Sequence, residues 1–217
     1  MKTEKLKKTK AHIRYRNSQN IIIPGATTIL NSVLAKPQLV PWANRMGLNG
    51  IDTTKYVDSM ATIGTLAHYM IECYLKKQEA DLTEYSPAEI SLAENAALKF
   101  YEWEKSHTYE LIGSEMALVS EKYQYGGTID IYWKLDGKYT LTDLKTCKGI
   151  YSEQHTQLAS YRQLLVENGY PVEECNILRI GRDENEGFDF INSKNLDQHF
   201  DRFKHCRAIY DLNKALA

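Results

Sequence analysis

Two strand-like segments joined by a tight turn constrain the fold of this chain more than any other feature. Residues 128–135 and 138–146 are rich in β-branched and aromatic side chains, and Asp136-Gly137 separates them. An Asp-Gly pair in this position is a strong signal for a two-residue hairpin turn. The alternating segment 115–119 precedes both, so the sequence predicts three antiparallel strands in succession.

Two acidic residues and a lysine lie on the predicted hairpin. Asp143 and Lys145 are two residues apart in the third strand and therefore project from one face, whereas Leu144 projects from the other. The turn brings Asp130 of the neighbouring strand beside Asp143, and two close carboxylates repel each other unless a proton or a metal ion lies between them. We expect this pair to share a divalent cation, with the Lys145 ammonium beside it.

This combination predicts a chemistry that its members do not predict singly. Alone, Asp130 is typical of a polar residue at a sheet edge, and Lys145 is typical of a protein surface. Together, two carboxylates can bind a hard divalent cation, and an ammonium can position water and stabilise the charge on a phosphate. The sequence therefore predicts hydrolysis of nucleic acid.

The composition predicts one domain over residues 1–217. The chain is 43% hydrophobic and 25% charged, which is enough for one substantial core. No apolar run approaches the roughly 20 residues that span a bilayer, so we expect a cytoplasmic protein with no membrane segment and no secretory signal. Lys and Arg total 27 against 28 Asp and Glu, so contact with nucleic acid must come from local clusters of charge. Residues 1–10 form one such basic cluster, which we expect to be a flexible tail.

The four cysteines have the pattern of structural thiols. Cys73, Cys147, Cys175 and Cys206 are scattered, and no two of them have the C-x-x-C spacing that zinc and iron–sulfur sites favour. We therefore expect buried thiols that pack as small hydrophobic side chains in a reducing compartment.

An amphipathic helix is predicted over 58–77, where apolar residues recur with helical spacing. His68 and Glu72 share one face of it, and Gly64, one turn earlier, leaves room for another backbone or a ligand. His68 is either a core histidine or a neutral ligand that completes a cation site and favours manganese over magnesium. Glu72 can orient the imidazole, coordinate through water, or pair with Lys76.

Three further polar residues are candidates for supporting roles. Glu115 lies among inward-facing positions of the first strand and needs a partner there, which a metal-linked role would supply. Gln157 and Tyr161 are four residues apart on a helix predicted over 153–167. They form either an ordinary helix surface, a contact with the DNA backbone, or a support for the Lys145 strand. Other contacts with the phosphate backbone are expected from Lys122, Lys134, Lys148 and Arg162.

The remaining pattern mixes helices and strands. Ser86-Pro87-Ala88-Glu89 is a capping box with proline at the first helical position, so we expect a long helix from there to Ser106. The other expected elements are a short hairpin over 13–23, helices over 27–36, from Trp42 onward and over 196–216, and strands over 175–180 and 188–191. No internal repeat or low-complexity linker interrupts this pattern, which supports a single domain.

In their order along the chain, these motifs resemble a known family. The set consists of His68, Gly127-x-x-Asp130, Asp143-x-Lys145 and Gln157-x-x-x-Tyr161. It is similar to the RecB-like branch of the PD-(D/E)xK nuclease superfamily, and to its phage-type exonucleases in particular. Segments 24–30, 37–42 and 64–68 also look like those exonucleases, so the resemblance covers roughly residues 20–170. Each motif is weak alone, whereas the ordered set is specific.

The resemblance implies a fold and a site. The fold would be a restriction-endonuclease-like core of the α/β (α+β) class, with a central mixed β-sheet flanked by helices. His68, Asp130, Asp143 and the carbonyl of Leu144 would bind Mg²⁺ or Mn²⁺, and Lys145 would be the catalytic lysine. Relatives with an iron–sulfur cluster hold it with one early and three late cysteines. That grouping is absent from this sequence, so no cluster is expected.

The resemblance also implies an activity, namely metal-dependent exonuclease cleavage of linear DNA in phage or bacterial recombination or repair. The cell would be a bacterium or a phage-infected host, and a homo-oligomer or a recombination partner protein would be in keeping with it. The DNA, single- or double-stranded, would be bound without sequence specificity, since the sequence has no recognition-helix or zinc-finger signature. Two alternatives are a catalytically inactive nuclease-fold protein that binds DNA or a protein partner, and a metal-stabilised structural domain. The intact Asp143-x-Lys145 motif favours the enzyme.

Overall fold

The computed structural model describes residues 13–216, so the basic cluster predicted to be a tail lies outside the described residues. Within this range the helices are α1 (Ala26–Val33), α2 (Leu39–Leu48), α3 (Thr53–Leu75), α4 (Pro87–Glu104), α5 (Ser152–Glu167) and α6 (Leu196–Leu216). The strands are β1 (Tyr109–Ser120), β2 (Tyr125–Leu135), β3 (Lys138–Lys145), β4 (Glu174–Ile180) and β5 (Phe188–Asn192). None of these helices is long and apolar enough to cross a membrane.

The five strands form one mixed sheet in the order β1-β2-β3-β4-β5. Neighbouring strands are antiparallel, except that β3 and β4 are parallel. A parallel pair needs a crossover connection, and α5 lies in the connection between these two strands. The predicted fold, a central mixed sheet flanked by helices, is confirmed, and it is consistent with a restriction-endonuclease-like core.

Helices cover both faces of the sheet and divide the core into two layers. On one face α3 and α4 pack against the strands and bury Leu66, Phe100 and Trp133 completely. On the other face α1, α5 and α6 do the same with Ile29 and Phe203. Burial of one such side chain stabilises the fold by about 1.5–3 kcal/mol. The two layers therefore hold the middle strands firmly between them.

The thiols follow the predicted pattern in part. Cys73, Cys175 and Cys206 are buried in the two core layers. Cys147 is half-buried just after the end of β3. Three of the four thus pack as small hydrophobic side chains, as expected.

The turn between β2 and β3 is the one that the sequence predicts. Asp136-Gly137 has positive φ values at both residues, 47° and 86°, as a type I′ hairpin turn requires. The register runs back from this turn to the pair formed by Ile131 and Thr142. The next residue on each strand is acidic, so Asp130 and Asp143 lie opposite each other at the far end of the hairpin.

Several helix starts differ from the prediction, and α2 begins at Leu39 rather than at Trp42. α3 begins at Thr53, several residues early, because the carboxylate of Asp52 accepts hydrogen bonds from two N–H groups of the first turn at 2.9 and 3.1 Å. Such a cap supports a turn that has no apolar periodicity of its own. α5 begins at Ser152, one residue before the predicted start at 153, and Tyr151 is its N-cap residue. The predicted capping box of α4 is confirmed.

Candidate active site

The candidate site lies at the end of the β2–β3 hairpin away from its turn, where α3 passes close to the end of β3. A Cβ atom on Gly64 would lie 2.5 Å from Oγ1 of Thr146, so the helix and the residue that follows the strand approach each other closely here. One turn further along α3, Nδ1 of His68 lies 3.9 Å from Oδ1 of Asp130. The close approach at Gly64 and the contact of His68 with Asp130 thus lie one helical turn apart on the same side of α3.

Three of the predicted residues form a compact group of ligand atoms, which we call the ligand cluster. One ligand atom each from His68, Glu115 and Asp130 lie within 4.8 Å of one another, and all three residues are half-buried. Glu115 reaches this position because its neighbours in β1, Ser114 and Met116, pair with the residues on either side of Asp130. An imidazole nitrogen and two carboxylate oxygens form a donor set that suits Mn²⁺ or Mg²⁺.

Asp143 and Lys145 project from the same face of β3, as alternation predicts, and form an ion pair. Nζ of Lys145 lies 2.5 Å from Oδ2 of Asp143. Asp143 is only 1% exposed, and its Oδ1 accepts no hydrogen bond within residues 13–216. Asp143 is thus paired with Lys145, and it lies close enough to Asp130 and His68 for their charges to influence its pKa. A buried oxygen that accepts no hydrogen bond needs a proton, a water molecule or a cation as its partner. Oδ1 of Asp143 therefore also fits the role of a metal ligand.

Asp130 is oriented by the backbone of the strand beside it. The N–H of Leu144 donates a hydrogen bond to Oδ2 of Asp130 at 2.8 Å, which leaves Oδ1 on the side of His68. The side chain of Leu144 packs into the core layer of α3 and α4. The resemblance assigns the carbonyl of Leu144 to the metal, whereas the contact made to the ligand cluster is through its N–H.

Burial and charge determine the protonation of the ion pair. The pKa of Asp143 is raised to about 6 by burial, against the lowering effect of Lys145. Burial also raises the pKa of Asp130, opposed by Lys145 and by the N–H of Leu144. Burial alone would lower the pKa of Lys145, but the two carboxylates outweigh it and the pKa is raised. Lys145 is therefore an ammonium at neutral pH.

The pKa values of His68 and Glu115, the other two residues of the ligand cluster, shift in opposite directions. Burial, reinforced by Lys145, lowers the pKa of His68 to about 4, so the imidazole is neutral at pH 7, the form that binds metals. Burial, together with the charges of Asp130 and Glu72, raises the pKa of Glu115 to about 8. Without a cation Glu115 keeps its proton at neutral pH, and a cation would displace that proton.

Glu115 holds its place with a strained backbone. Its φ of 51° is in the left-handed region, which costs a non-glycine residue on the order of 1–3 kcal/mol and is found most often at functional sites. The sequence marks Glu115 as a buried acid in need of a partner, but no local pattern marks this conformation. The strain is an independent sign that the carboxylate is placed for a purpose other than stability.

We expect Glu115→Gly to raise the melting temperature by about 2–4 °C, because relief of about 1 kcal/mol of strain has that effect in a chain of this size. Thermal unfolding in EDTA measures it. Ala117→Gly is the matched control: Ala117 lies in the same strand with negative φ, and glycine there should lower the melting temperature. Equal destabilisation by the two substitutions would contradict the account of strain.

Glu72 takes up one of its three predicted roles. Its Oε1 lies 2.5 Å from Nζ of Lys76, one turn later on α3. Glu72 is buried nonetheless, and its charge contributes to the raised pKa of Glu115. It therefore adds negative potential beside the ligand cluster while its own charge is paired.

Gln157 and Tyr161 share one face of α5, as predicted, and are joined by a hydrogen bond. Nε2 of Gln157 donates to Oη of Tyr161 at 2.8 Å. The tyrosine ring fills the space left by Gly127, where a Cβ would lie 2.6 Å from Cε1 of the ring. Burial raises the pKa of Tyr161, and the charges of Asp143 and Asp130 raise it further. The tyrosine thus packs against β2, the strand that carries Asp130, whereas support for the Lys145 strand and contact with the DNA backbone stay predictions.

Tyr15 is a neighbour of the site that sequence reasoning missed. The predicted N-terminal hairpin is a single bridge between Arg16 and Ile22, and it places the ring of Tyr15 where a Cβ on Gly126 would overlap it. Oη of Tyr15 is hydrogen-bonded to Oγ1 of Thr128 at 2.8 Å. Two consecutive glycines within a strand are the signal that could have revealed this close approach.

The four cations expected to contact phosphate lie in different environments. Lys122 and Lys134 each lie over a neighbouring tyrosine ring, and Arg162 pairs with an aspartate of α6 at 2.8 Å. Lys148 lines a groove that also contains His68. Of these four cations, Lys148 is thus the one that shares a groove with a residue of the ligand cluster.

The comparisons with known proteins concern the fold. No protein-family model and no curated protein sequence matches this chain. A solved structure from Eubacterium rectale, named "Putative exonuclease", has a TM-score of 0.50 at 13% identity. The match covers 68% of this chain and 66% of that one, just under two thirds of its length. A second structure, named SSO0001, matches 70% of this chain and 74% of its own at 13% identity, with a TM-score of 0.31. The likeness to the Eubacterium rectale structure is one of fold.

Proposed function

We propose that this chain is a divalent-metal-dependent nuclease that hydrolyses the phosphodiester bonds of DNA. The observation that supports it best is the convergence of side chains from four elements: His68 from α3, Glu115 from β1, Asp130 from β2, and the Asp143–Lys145 pair from β3. Buried acidic groups with incomplete partners cost free energy. The acidic groups at this end of the hairpin therefore do not stabilise the fold, and a catalytic role explains their presence better.

Each residue has a role in the proposed reaction. The nitrogen of His68 and the oxygens of Glu115 and Asp130 would hold the cation, and Oδ1 of Asp143 is free to join them. A bound Mg²⁺ or Mn²⁺ would polarise the phosphate and lower the pKa of a water molecule. The Lys145 ammonium would donate hydrogen bonds to that water or to a phosphate oxygen and would offset the developing negative charge. Asp143 keeps the ammonium in position through the 2.5 Å ion pair.

We extend the proposal to an exonuclease that degrades linear DNA without sequence specificity in phage or bacterial recombination or repair, in the cytoplasm. It is supported by the ordered motif set from His68 to Tyr161. It is further supported by the likeness of fold to the Eubacterium rectale protein, whose name describes an exonuclease. We include a second copy of the chain or a recombination partner protein in this proposal.

Parallel digestion of end-labelled linear DNA and covalently closed circular DNA tests this proposal. With Mg²⁺ or Mn²⁺ the protein is expected to degrade the linear DNA and to leave the circle intact, because an exonuclease needs a strand end. EDTA should stop the digestion. Cleavage of the circle would contradict exonuclease action. DNA binding without any hydrolysis would instead support the inactive nuclease-fold protein, and metal-dependent melting without binding or hydrolysis would support a structural metal domain.

A further inference from the structure

The groove that contains His68 is lined on one side by helix α2. Helix α2 has no buried residue and lies beside the N-terminal half of α3, with a groove of about 750 Å³ along the two helices. The groove reaches His68 and Thr146, which adjoins Lys145. A strand of substrate that leaves the candidate site on this side would therefore enter the groove.

The charged residues that line this groove are all basic. They are Arg45, Lys148 and Arg182, in addition to His68, and no carboxylate lines the groove among residues 13–216. Acids and bases are almost equal in number in the whole chain, so this wall is a local segregation of positive charge. Glu186 neutralises much of Arg182 through contacts at 2.6 and 2.8 Å. Arg45 and Lys148 are exposed and remain for a ligand.

Aromatic rings are interleaved with these cations. Trp42 of α2 and Tyr56 of α3 are both half-buried, with ring centroids 6.2 Å apart. Tyr151, just before α5, is exposed and lines the same groove. Basic side chains along a groove with aromatic rings between them are the combination by which proteins bind single-stranded nucleic acid, since the rings stack on bases and the cations contact phosphates.

We propose that this groove binds an unpaired DNA strand adjacent to the scissile phosphate, with bases on Trp42 and Tyr56 and phosphates on Arg45 and Lys148. This inference rests on the proposed nuclease function and adds its substrate class. In a duplex the faces of the bases are stacked on one another and are closed to side chains, so aromatic rings select unpaired bases. A blunt duplex would engage only the cations of the groove.

Fluorescence anisotropy in EDTA tests the proposal without hydrolysis. The probes are a labelled thymidine strand of about 12 nucleotides, an abasic strand of the same length, and a blunt duplex; this length is within the usual range for such sites. The protein is expected to bind the thymidine strand more tightly than the other two. Trp42→Ala should weaken binding of the thymidine strand about tenfold and leave the abasic strand unaffected, whereas Trp42→Phe should retain most of the affinity.

Arg45→Gln supplies a second, independent variant at an exposed position. It should reduce the slope of log affinity against log salt by about 0.7, the value for one phosphate contact on a single strand. Lys105→Gln, at an exposed position after α4 and outside the groove lining, is the matched charge control and should leave the slope unchanged. Melting temperatures measured alongside confirm that each variant is folded.

The proposal is overturned if folded Trp42→Ala and Arg45→Gln bind the thymidine strand as the wild type does. It is also overturned if Trp42→Ala weakens the abasic strand and the duplex as much as the thymidine strand. Because binding is measured without a divalent cation, intact selective binding with no hydrolysis would contradict the nuclease alone. Intact hydrolysis with unselective binding would contradict the groove alone.

Discussion

Lys145→Ala is expected to slow DNA hydrolysis by a factor of about 10²–10⁴, the usual effect of removing a positioned proton-transfer group or a donor to developing charge. The Lys145 ammonium is 2.5 Å from Asp143 and close enough to Asp130 to influence its pKa, so it lies beside both carboxylates of the hairpin. Single-turnover cleavage of linear DNA with enzyme in excess measures the chemical step directly.

Lys138→Ala is the matched control for this substitution. Lys138 begins the same strand and pairs with Glu174 on the protein surface, so its loss should leave the cleavage rate unchanged. Lys145→Ala removes the cation from buried Asp143, which is destabilising, and melting temperatures are therefore compared as well. Asp143→Asn should lose activity to a similar extent. Cleavage at the wild-type rate by either folded variant of the ion pair would contradict the proposed mechanism.

Saturating Mn²⁺ is expected to raise the melting temperature of the wild-type protein by about 5–10 °C. A ligand at about 100 times its Kd stabilises the folded state by about 2.7 kcal/mol, and each kcal/mol shifts the melting temperature by about 2–4 °C in a chain of this size. Glu115→Gln should lose most of this shift, because it removes one anionic ligand from the cluster. Glu110→Gln, an exposed position in the same strand, should retain it.

The shift with Mn²⁺ is also expected to be larger at pH 8 than at pH 6. The pKa values of Glu115 and Asp143 are raised to about 8 and about 6, so the metal-free folded state binds these protons more tightly than the unfolded chain does. Its stability therefore falls as the pH rises through this range. A cation must displace the same protons, which is easier at pH 8. Equal shifts at the two pH values would contradict the assignment of these carboxylates to the cation.

The hairpin and its acidic pair can be predicted from the sequence because both follow from local rules. A two-residue Asp-Gly turn fixes the register of β2 and β3, and side-chain alternation then sends Asp143 and Lys145 to the same face. The capping box of Ser86 and Glu89 likewise predicts where α4 begins. The start of α3 was misplaced because the cap on Asp52 begins a turn ahead of the apolar repeat on which the prediction relied.

The composition of the ligand cluster is harder to predict because it depends on contacts between distant elements. The sequence indicates that Glu115 is an inward-facing acid that needs a partner, but its contact with His68 and Asp130 depends on a strained backbone at Glu115 itself. The position of Tyr15 depends on a hydrogen bond to a residue 113 positions away. The groove likewise depends on where α2 lies against α3, and the sequence predicts only that a helix runs from Trp42 onward.

Anomalous diffraction from crystals of the protein with Mn²⁺ tests most directly whether these residues form one metal centre. The account predicts a manganese peak within bonding distance of His68, Glu115 and Asp130, with Asp143 near it and Lys145 beside Asp143. A manganese peak elsewhere, or a cluster that binds no manganese while His68 and the acids keep separate partners, would contradict it.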